Sequence, residues 1–375
     1  RVEILKGNQS SVYGSGAMGG TINITTKRGK QGFQKSSSYN TGSNGTHNLA
    51  LSMSGADEKN DFYLGFEKFM TQGISQMTDN DEKDGYDNST VAASYGYKLT
   101  DKIKLENNIR YLVGATAYDT VSQSSVKALE DDEDQVQDEF SLNTSLLFDY
   151  NEQFSNKLTF SKYNMKRTAN LSTGKQDDYK GDRKALSYLG TYNFDSDSSI
   201  ILGADTSFET ANYKSQTSFL KEGATVNSLY ADYQKRLTPN LYLTVGGRQE
   251  EHSVAGGEEA YRTSLAHLSD DKTLKLKGSY GTSFRFPSLY EMYFVGGAHP
   301  KVRDTMTAES SKGFDIGFEK AMPALNLNFD VTYFNTKYYD ALEGWSGNTD
   351  FYIWGNTKNS TSTTKAEGIE FLSKW

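Results

Sequence analysis

The feature that most constrains this chain is a strict period of two in which both faces can be read. Leu325, Leu327, Phe329, Val331 and Tyr333 alternate with Asn326, Asn328, Asp330 and Thr332. Ile103, Leu105 and Ile109 alternate with Lys104, Glu106, Asn108 and Arg110, and Phe314, Ile316 and Phe318 with Asp315, Gly317 and Glu319. Leu241, Leu243 and Val245 alternate with Tyr242, Thr244 and Gly246. A period of two puts each apolar set on one face of a strand. The other face carries full charges, so it must meet water or a polar filling. About sixteen such segments follow residue 33, most of about 9 to 13 residues, against ~9–11 for a tilted membrane-spanning strand and ~5–6 for soluble sheets.

The connections sort by parity. One set is short: ADEKND, LTDK, NEQFSNK, NFDSDS, RLTPN, LSDDK and KAMPA. The other set, after a first short turn near 41–46, is long, at roughly 71–88, 116–137, 168–183, 210–227, 250–260, 284–310 and 338–362. Short turns on one side and long loops on the other is the pattern of an outer-membrane barrel. All four prolines fall in or beside connections, as a closed ladder requires. The fold class expected is all-β, a transmembrane antiparallel β-barrel. Tyr150, Tyr192, Phe194 and Tyr242 lie near the short turns and are expected to form the periplasmic aromatic belt.

Composition closes off other classes. Mean hydropathy is −0.68 and no apolar run approaches the ~18 residues of a membrane helix. There is no cysteine, so neither a disulfide framework nor a thiolate metal site is available. With 40 basic and 48 acidic residues, nucleic acid is not a bulk partner. The four histidines, His47, His252, His267 and His299, lack metal-ligand spacing, and no GxSxG elbow appears. No enzyme is expected. Gly14, Gly16 and Gly19 spell GxGxxG, but the β-branched TINITT that follows is a strand, not the helix that a dinucleotide site needs. Glycines there serve tight turns and close packing.

The first thirty residues contain RVEILKG and then SVYGSGAMGGTINITTKRG. Together they resemble the conserved end of the plug domain in TonB-dependent outer-membrane receptors. SYGTSFRFPSLYEMYF (279–294) and AESSKGFDIGFEK (308–320) resemble a barrel segment of the same family around one long loop. The resemblance implies residues 1–30 as the C-terminal end of a plug and 31–375 as barrel, with about 16 of the family's ~22 strands present. Both ends read as strands cut short, so most of the plug and the last barrel strands are expected to lie outside this sequence. The plug motif comprises Lys6, Gly7, Tyr13, Gly14, Gly16, Gly19 and Gly20. Lys6-Gly7-Asn8 stands where the family usually has Arg-Gly-Pro, and His299-Pro300-Lys301-Val302 where it often has Asn-Pro-Asn-Leu. In the family the basic site pairs with barrel carboxylates that lock the plug, and Glu309 and Glu319 are the expected partners of Lys6.

The function implied is TonB-dependent uptake of a scarce, large nutrient complex across the bacterial outer membrane. The partners implied are the TonB-ExbB-ExbD complex, reached through an amino-terminal box, together with outer-membrane lipid, lipopolysaccharide and a metal-complex cargo, the receptor being a monomer. TDNDEKDGYDN (78–88) resembles a segment of the cobalamin branch, which binds calcium through loop aspartates. That makes Asp79, Asp81, Asp84, Asp119 and Asp177 or Asp178 calcium candidates, against the alternative of a solvated acidic loop. LEDDEDQVQDE (129–139) reads as a solvated loop or a divalent-ion bridge to lipopolysaccharide. Tyr118, Tyr290, Tyr293, His299, Trp345, Tyr352 and Trp354 are the substrate-loop candidates. Acidic, aromatic loops favour a corrinoid over an anionic ferric siderophore, with haem third. A passive porin would share the barrel but lack the plug motif.

Overall fold

The computed structural model describes residues 1–75, 83–118, 133–171, 174, 176–216, 219–293, 306–345 and 356–375. An amino-terminal segment forms β1 (Val2–Lys6), a single helical turn α1 (Ser10–Tyr13) and β2 (Gly20–Ile24). β1 and β2 pair antiparallel as a sheet of their own. A second, 16-stranded antiparallel sheet takes in nearly all the other strands. It starts with β3 (Gly32–Gly42), β4 (Thr46–Ala56), β5 (Asn60–Thr71), β6 (Tyr86–Thr100) and β7 (Ile103–Tyr118). Next come the longest strands, β8 (Glu133–Asp149), β9 (Phe154–Asn170), β10 (Gln176–Asn193), β11 (Ser198–Lys214) and β12 (Phe219–Thr238). β13 (Leu241–His252), β14 (Gly256–Leu268) and β15 (Leu274–Arg285) lead to a short helix, α2 (Leu289–Tyr293). β16 (Glu309–Met322) and β17 (Leu327–Tyr339) follow, then a small hairpin of β18 (Leu342–Trp345) and β19 (Asn356–Asn359), and finally β20 (Thr364–Lys374). Each strand of the large sheet pairs with its sequence neighbour, β17 pairs with β20 across the hairpin, and β3 and β20 have one neighbour each.

The alternation sets the two faces. Phe314, Ile316 and Phe318 point outward with Leu64, Phe66, Val91, Leu202 and Leu229, and all are exposed large apolar side chains (Ile316 61 %, Leu229 67 %). Lipid is the solvent that such a surface suits. Asp315, Glu319, Asp330, Glu106 and Lys104 take the inner face. The amino-terminal segment touches β5 and β7 through Arg28, β12–β15 through α1 and β20 through Lys6. The sheet therefore curls around that segment.

The turns on the short side share one device. Asp57 Oδ1 accepts from the N–H groups of Lys59 (2.8 Å) and Asn60 (2.7 Å). Asn151 Oδ1 accepts from Gln153 (3.0 Å) and Phe154 (2.8 Å), and Asp195 Oδ1 from Asp197 (2.7 Å). Such side-chain-to-backbone bonds are why Asp and Asn begin tight turns. The hydroxyls of Ser269 and Thr273 and the Thr273 N–H hold the Asp271 carboxyl down at about 2.

Three expectations need correction. The connections expected to be long at 168–183, 210–227 and 250–260 are mostly strand: β9 runs on to Asn170, β10 starts at Gln176, β11 ends at Lys214, and β13 and β14 meet across 253–255. Above the apolar band both strand faces are polar, so hydropathy contrast vanishes while the hydrogen-bonded ladder continues. For the same reason 133–139 is strand, and Glu139 faces inward to pair with Arg110. The aromatic belt forms from Tyr150, Tyr192 and Phe194, which contact Phe148, Phe154 and Tyr233. Tyr242 is not in it. It alternates with Leu241, Leu243 and Val245, shares the inner face of Arg248 and Glu250, and directs its hydroxyl to Pro239 O (3.5 Å).

Candidate functional site

The two motifs that lie furthest apart in the sequence meet in space. Asn8 Nδ2 donates to Gly281 O at 2.6 Å, while its Oδ1 accepts from Ser311 Oγ at 3.2 Å. Ser10 N–H donates to Ser283 Oγ (3.3 Å), and Ser10 Oγ sits between the N–H (3.3 Å) and the carbonyl (3.4 Å) of Phe284. Gly16 N–H donates to that carbonyl at 2.9 Å, and Ser15 Oγ accepts from Phe286 N–H at 2.9 Å. Ser10 and Ser11 are buried completely or nearly so. One helical turn is marginal alone. Here the Gln9 N–H to Ala17 O (2.9 Å) and Gly7 N–H to Gly19 O (3.2 Å) bonds close the loop around it.

Arg248 forms the floor of this seat. Its guanidinium donates to Asp205 (2.9 Å), Ser228 Oγ (2.6 Å), Glu250 (2.6 Å) and the Val12 carbonyl (3.4 Å), and stacks over Tyr230 at 4.8 Å. Gly14 lies directly above. A Cβ there would stand 2.8 Å from Glu250 Oε2 and 3.1 Å from the guanidinium carbon, and φ is +77°. Gly20 is equally constrained, since its Cβ would be 2.5 Å from Leu5 O. These two glycines of the motif therefore answer to close approach and left-handed backbone.

The expected lock is re-paired. Lys6 Nζ reaches Glu370 at 2.6 Å, not Glu309 or Glu319. Glu370 stands on the rung of Thr332 and Gly317, beside the end of β1. Glu309 lies ~26 Å further along β16 at ~3.3 Å per residue, where it takes Arg285 and the Leu342 N–H. Glu319 is held by Lys275 (3.1 Å) and Lys277 (3.2 Å). A second tie comes from Arg28, which pairs with Asp61 (3.8 Å) and Glu106; Lys104 bridges the same two carboxylates at 3.1 and 2.9 Å.

Arg285 connects the seat to the outer loops. Phe284 and Phe286 on either side of it bond the amino-terminal segment, while its guanidinium takes both oxygens of Glu291 on α2 (3.0 Å each) and Glu309. Burial works against the Glu291 carboxylate, but the bonds from Arg285 and Ser288 outweigh it and hold its pKa below the usual range. α2 packs Leu289 and Met292 on Ala224 and Met306. At the outer mouth, Arg167 stacks over Tyr179 (4.3 Å), and Tyr179 lies 4.9 Å from Tyr213. Tyr118 and Tyr293 are half-buried, Tyr290 is exposed and Trp345 ends β18. His299, Tyr352 and Trp354 lie outside the described residues, as do Asp79, Asp81 and Asp119. Asp177 and Asp178 do not converge on one ion. They are successive strand residues on opposite faces, Asp177 accepting from Tyr213 Oη (3.2 Å) and Asp178 from Thr168 Oγ1 (2.7 Å). Among the described residues no three His, Asp or Glu come together as a metal site.

The family model described as TonB dependent receptor-like, beta-barrel, matches residues 32–375. The chain belongs to that family. Its place is the bacterial outer membrane. The vitamin B12 transporter BtuB of Vibrio vulnificus is 21 % identical over 99 % of this chain and 59 % of its own length. The ferrienterobactin receptor of Escherichia coli is 27 % identical over 39 % of this chain and 22 % of its own. The structure of the ferripyoverdine receptor of Pseudomonas aeruginosa, bound to ferripyoverdine, superposes with a TM-score of 0.81 at 15 % identity, over 100 % of this chain and 58 % of that one. The chain thus spans little more than half the length of the vitamin B12 transporter. For a TonB-dependent receptor barrel, the residues that sequence reasoning missed are Arg28, Asp61, Glu106, Arg248, Glu250, Asp205, Arg285 and Glu370. One signal was available, a full charge at an inward position of an alternating strand.

Proposed function

We propose that this chain is the wall and plug seat of a receptor that imports a large nutrient complex by TonB-driven displacement of the plug. The observation that carries this is the chemistry of the seat. Asn8, Ser10, Ser15 and Gly16 are held by hydrogen bonds, and Lys6, Arg28 and Arg248 mark polar ties from β20 to β5. Each such bond is worth only ~1 kcal/mol once water replaces it, so a pulled segment can leave without tearing an apolar core. A plug seat of this kind favours gated transport over a passive porin.

The cargo we favour is a corrinoid. The inner mouth offers flat aromatic surface at Tyr118, Tyr179, Tyr213 and Tyr290, and the chain carries more acid than base. The Arg167–Tyr179 stack supports a second reading, a ferric siderophore, because a half-buried cation over an aromatic ring suits an anionic planar chelate. Calcium held by Asp79, Asp81, Asp84 and Asp119 belongs to the corrinoid reading. The test is uptake of radiolabelled cobalamin, with and without calcium, by cells expressing the full-length gene in place of their own cobalamin receptor. Calcium-enhanced uptake is expected. No uptake, together with growth rescue by a ferric siderophore, transfers the assignment to the second reading.

A further inference from the structure

The short-side turns are closed by Asp and Asn side chains that accept from the N–H groups two and three residues ahead. One outer turn uses the same device with a different residue. His252 ends β13, and its Nδ1 accepts from the N–H groups of Val254 (3.1 Å) and Ala255 (3.0 Å). The turn is also tied to β12: Ser253 N–H donates to Thr225 O (2.9 Å), and Ser253 Oγ accepts from Thr225 N–H (3.0 Å). An Asn amide does not titrate, and an Asp carboxylate takes a proton only near pH ~4. Histidine, at ~6.5, can lose its acceptor close to neutral pH.

The surroundings of His252 favour the neutral ring. A backbone N–H can only donate, so Nδ1 carries no proton and the neutral ring holds its proton on Nε2. His252 is 2 % exposed, and Nε2 is buried without a hydrogen-bond partner. The ring lies 5.0 Å from that of Phe286. Charged groups on the same inner face are engaged elsewhere: Glu250 with Arg248, and Arg285 with Glu291 and Glu309. Glu258 stands opposite Glu250 and close to Asp340. β12 presents Ala224, Val226 and Ser228, and residues 8–16 of the plug motif hold no charge, Tyr13 being their one titratable group. A second proton would have to sit on Nδ1, facing two N–H donors. β13 rises ~28 Å from Leu241 to His252 at ~3.3 Å per residue and a tilt of ~40°, so the ring stands above the ~25 Å apolar band. Burial there holds its pKa below the ordinary histidine value.

The turn backs directly onto the plug seat. Val254 packs against the cluster under α2, and Ala255 against Phe284 and Phe286. Phe286 N–H donates to Ser15 Oγ, and the Phe284 carbonyl accepts from Gly16 N–H. We propose that His252 is a proton-operated latch on the plug seat. Neutral, it clamps the 253–255 turn behind Phe284 and Phe286; charged, it releases both N–H groups, the turn opens, and the hold on Ser15 and Gly16 loosens. Acid outside the cell then eases withdrawal of the plug. The latch rests on the plug-seat reading and not on the cargo, and it is read at the seat itself, so failure of cobalamin uptake leaves it standing.

The seated state binds fewer protons than the open one, where the ring titrates near ~6.5. The opening constant is therefore flat above that pH and rises by up to ~10-fold per unit below it, until the seated ring is itself charged. The test is hydrogen exchange at the Ser10–Gly16 amides of the full-length receptor in lipid vesicles, compared as protection factors at pH 7.5 and 5.5. A drop of ~5- to 10-fold is expected. His252→Asn places an oxygen where Nδ1 stands and cannot titrate, so its drop should stay under ~2-fold beyond any that Glu250 and Glu258 cause in both chains. His252→Ala should already be ~5-fold less protected at pH 7.5, for want of two hydrogen bonds. Exchange of the His252 Cε1 proton gives the ring's pKa in the unaltered chain, which keeps the test independent of how the variants fold. A ring pKa at or above ~6.5 overturns the proposal. So does an equal drop in the parent and His252→Asn, or parent-like protection of His252→Ala at pH 7.5.

Discussion

Two segments rest against the inner wall of β11–β15: α1 from the amino-terminus and α2 from the connection between β15 and β16. α1 is seated by buried polar groups, Asn8, Ser10 and Ser11 above Arg248 and Glu250. α2 is seated by Leu289 and Met292 on Ala211, Ala224 and Met306. Hydrogen bonds are directional, so the first seat holds one position and gives way when water takes over its partners. Apolar contact is non-directional, so the second keeps its stability through small tilts. In the transport reading proposed above, a wall that releases one segment and keeps another in contact has reason to use both kinds. Arg285 is where they adjoin, with its backbone neighbours in the first and its side chain in the second.

The comparison breaks most visibly at Arg248. Arg248→Ala leaves Glu250 and Asp205 without their cation, and Glu250 is only 4 % exposed. The expected cost is ~3–5 kcal/mol in the opening free energy of the seat, read by hydrogen exchange at the amides of Ser10–Gly16. Exchange there as slow as in the parent would remove Arg248 from the seat. Leu289→Ala is expected to cost ~2–3 kcal/mol, confined to α2. Because Arg248 and Leu289 share no partner, the double variant should be additive to within ~0.5 kcal/mol; a larger departure would mean that the seats are one unit. The smallest effect is expected for Lys6→Met. Lys6 and Glu370 are 57 % and 38 % exposed, so the loss should be ~0.2–1 kcal/mol and fade with added salt. A salt-independent loss would point to packing by the Lys6 stem.

Much of the wall was legible from alternation alone. Phe314, Ile316 and Phe318 against Asp315, Gly317 and Glu319 specified one strand and both its faces, and sixteen strands were anticipated. Partner choice was not legible, because it depends on height along the wall. Lys6 meets Glu370 since both stand at one rung, while nearer cations on β15 claim Glu309 and Glu319. Tyr242 shows the reverse lesson: its alternation with Leu241 and Leu243 already turned it inward, and closeness to a short turn was the weaker cue. Asp177 or Asp178 was a loop-ligand candidate only while 168–183 read as a loop. Once β10 begins at Gln176, adjacent residues must face apart.

Ser10, Ser15 and Gly16 address the main chain of Phe284 and Phe286, not their side chains. A mutation that swaps either phenylalanine leaves those amides and carbonyls in place. This part of the socket's outline is therefore written in peptide groups, which no substitution short of proline removes, while Ser283, Ser311 and Arg248 supply the rest from their side chains. Walls that have diverged elsewhere can keep the same stopper fitting, and an engineered stopper carrying this short segment should fit any wall that retains the side chains of Arg248, Ser283 and Ser311.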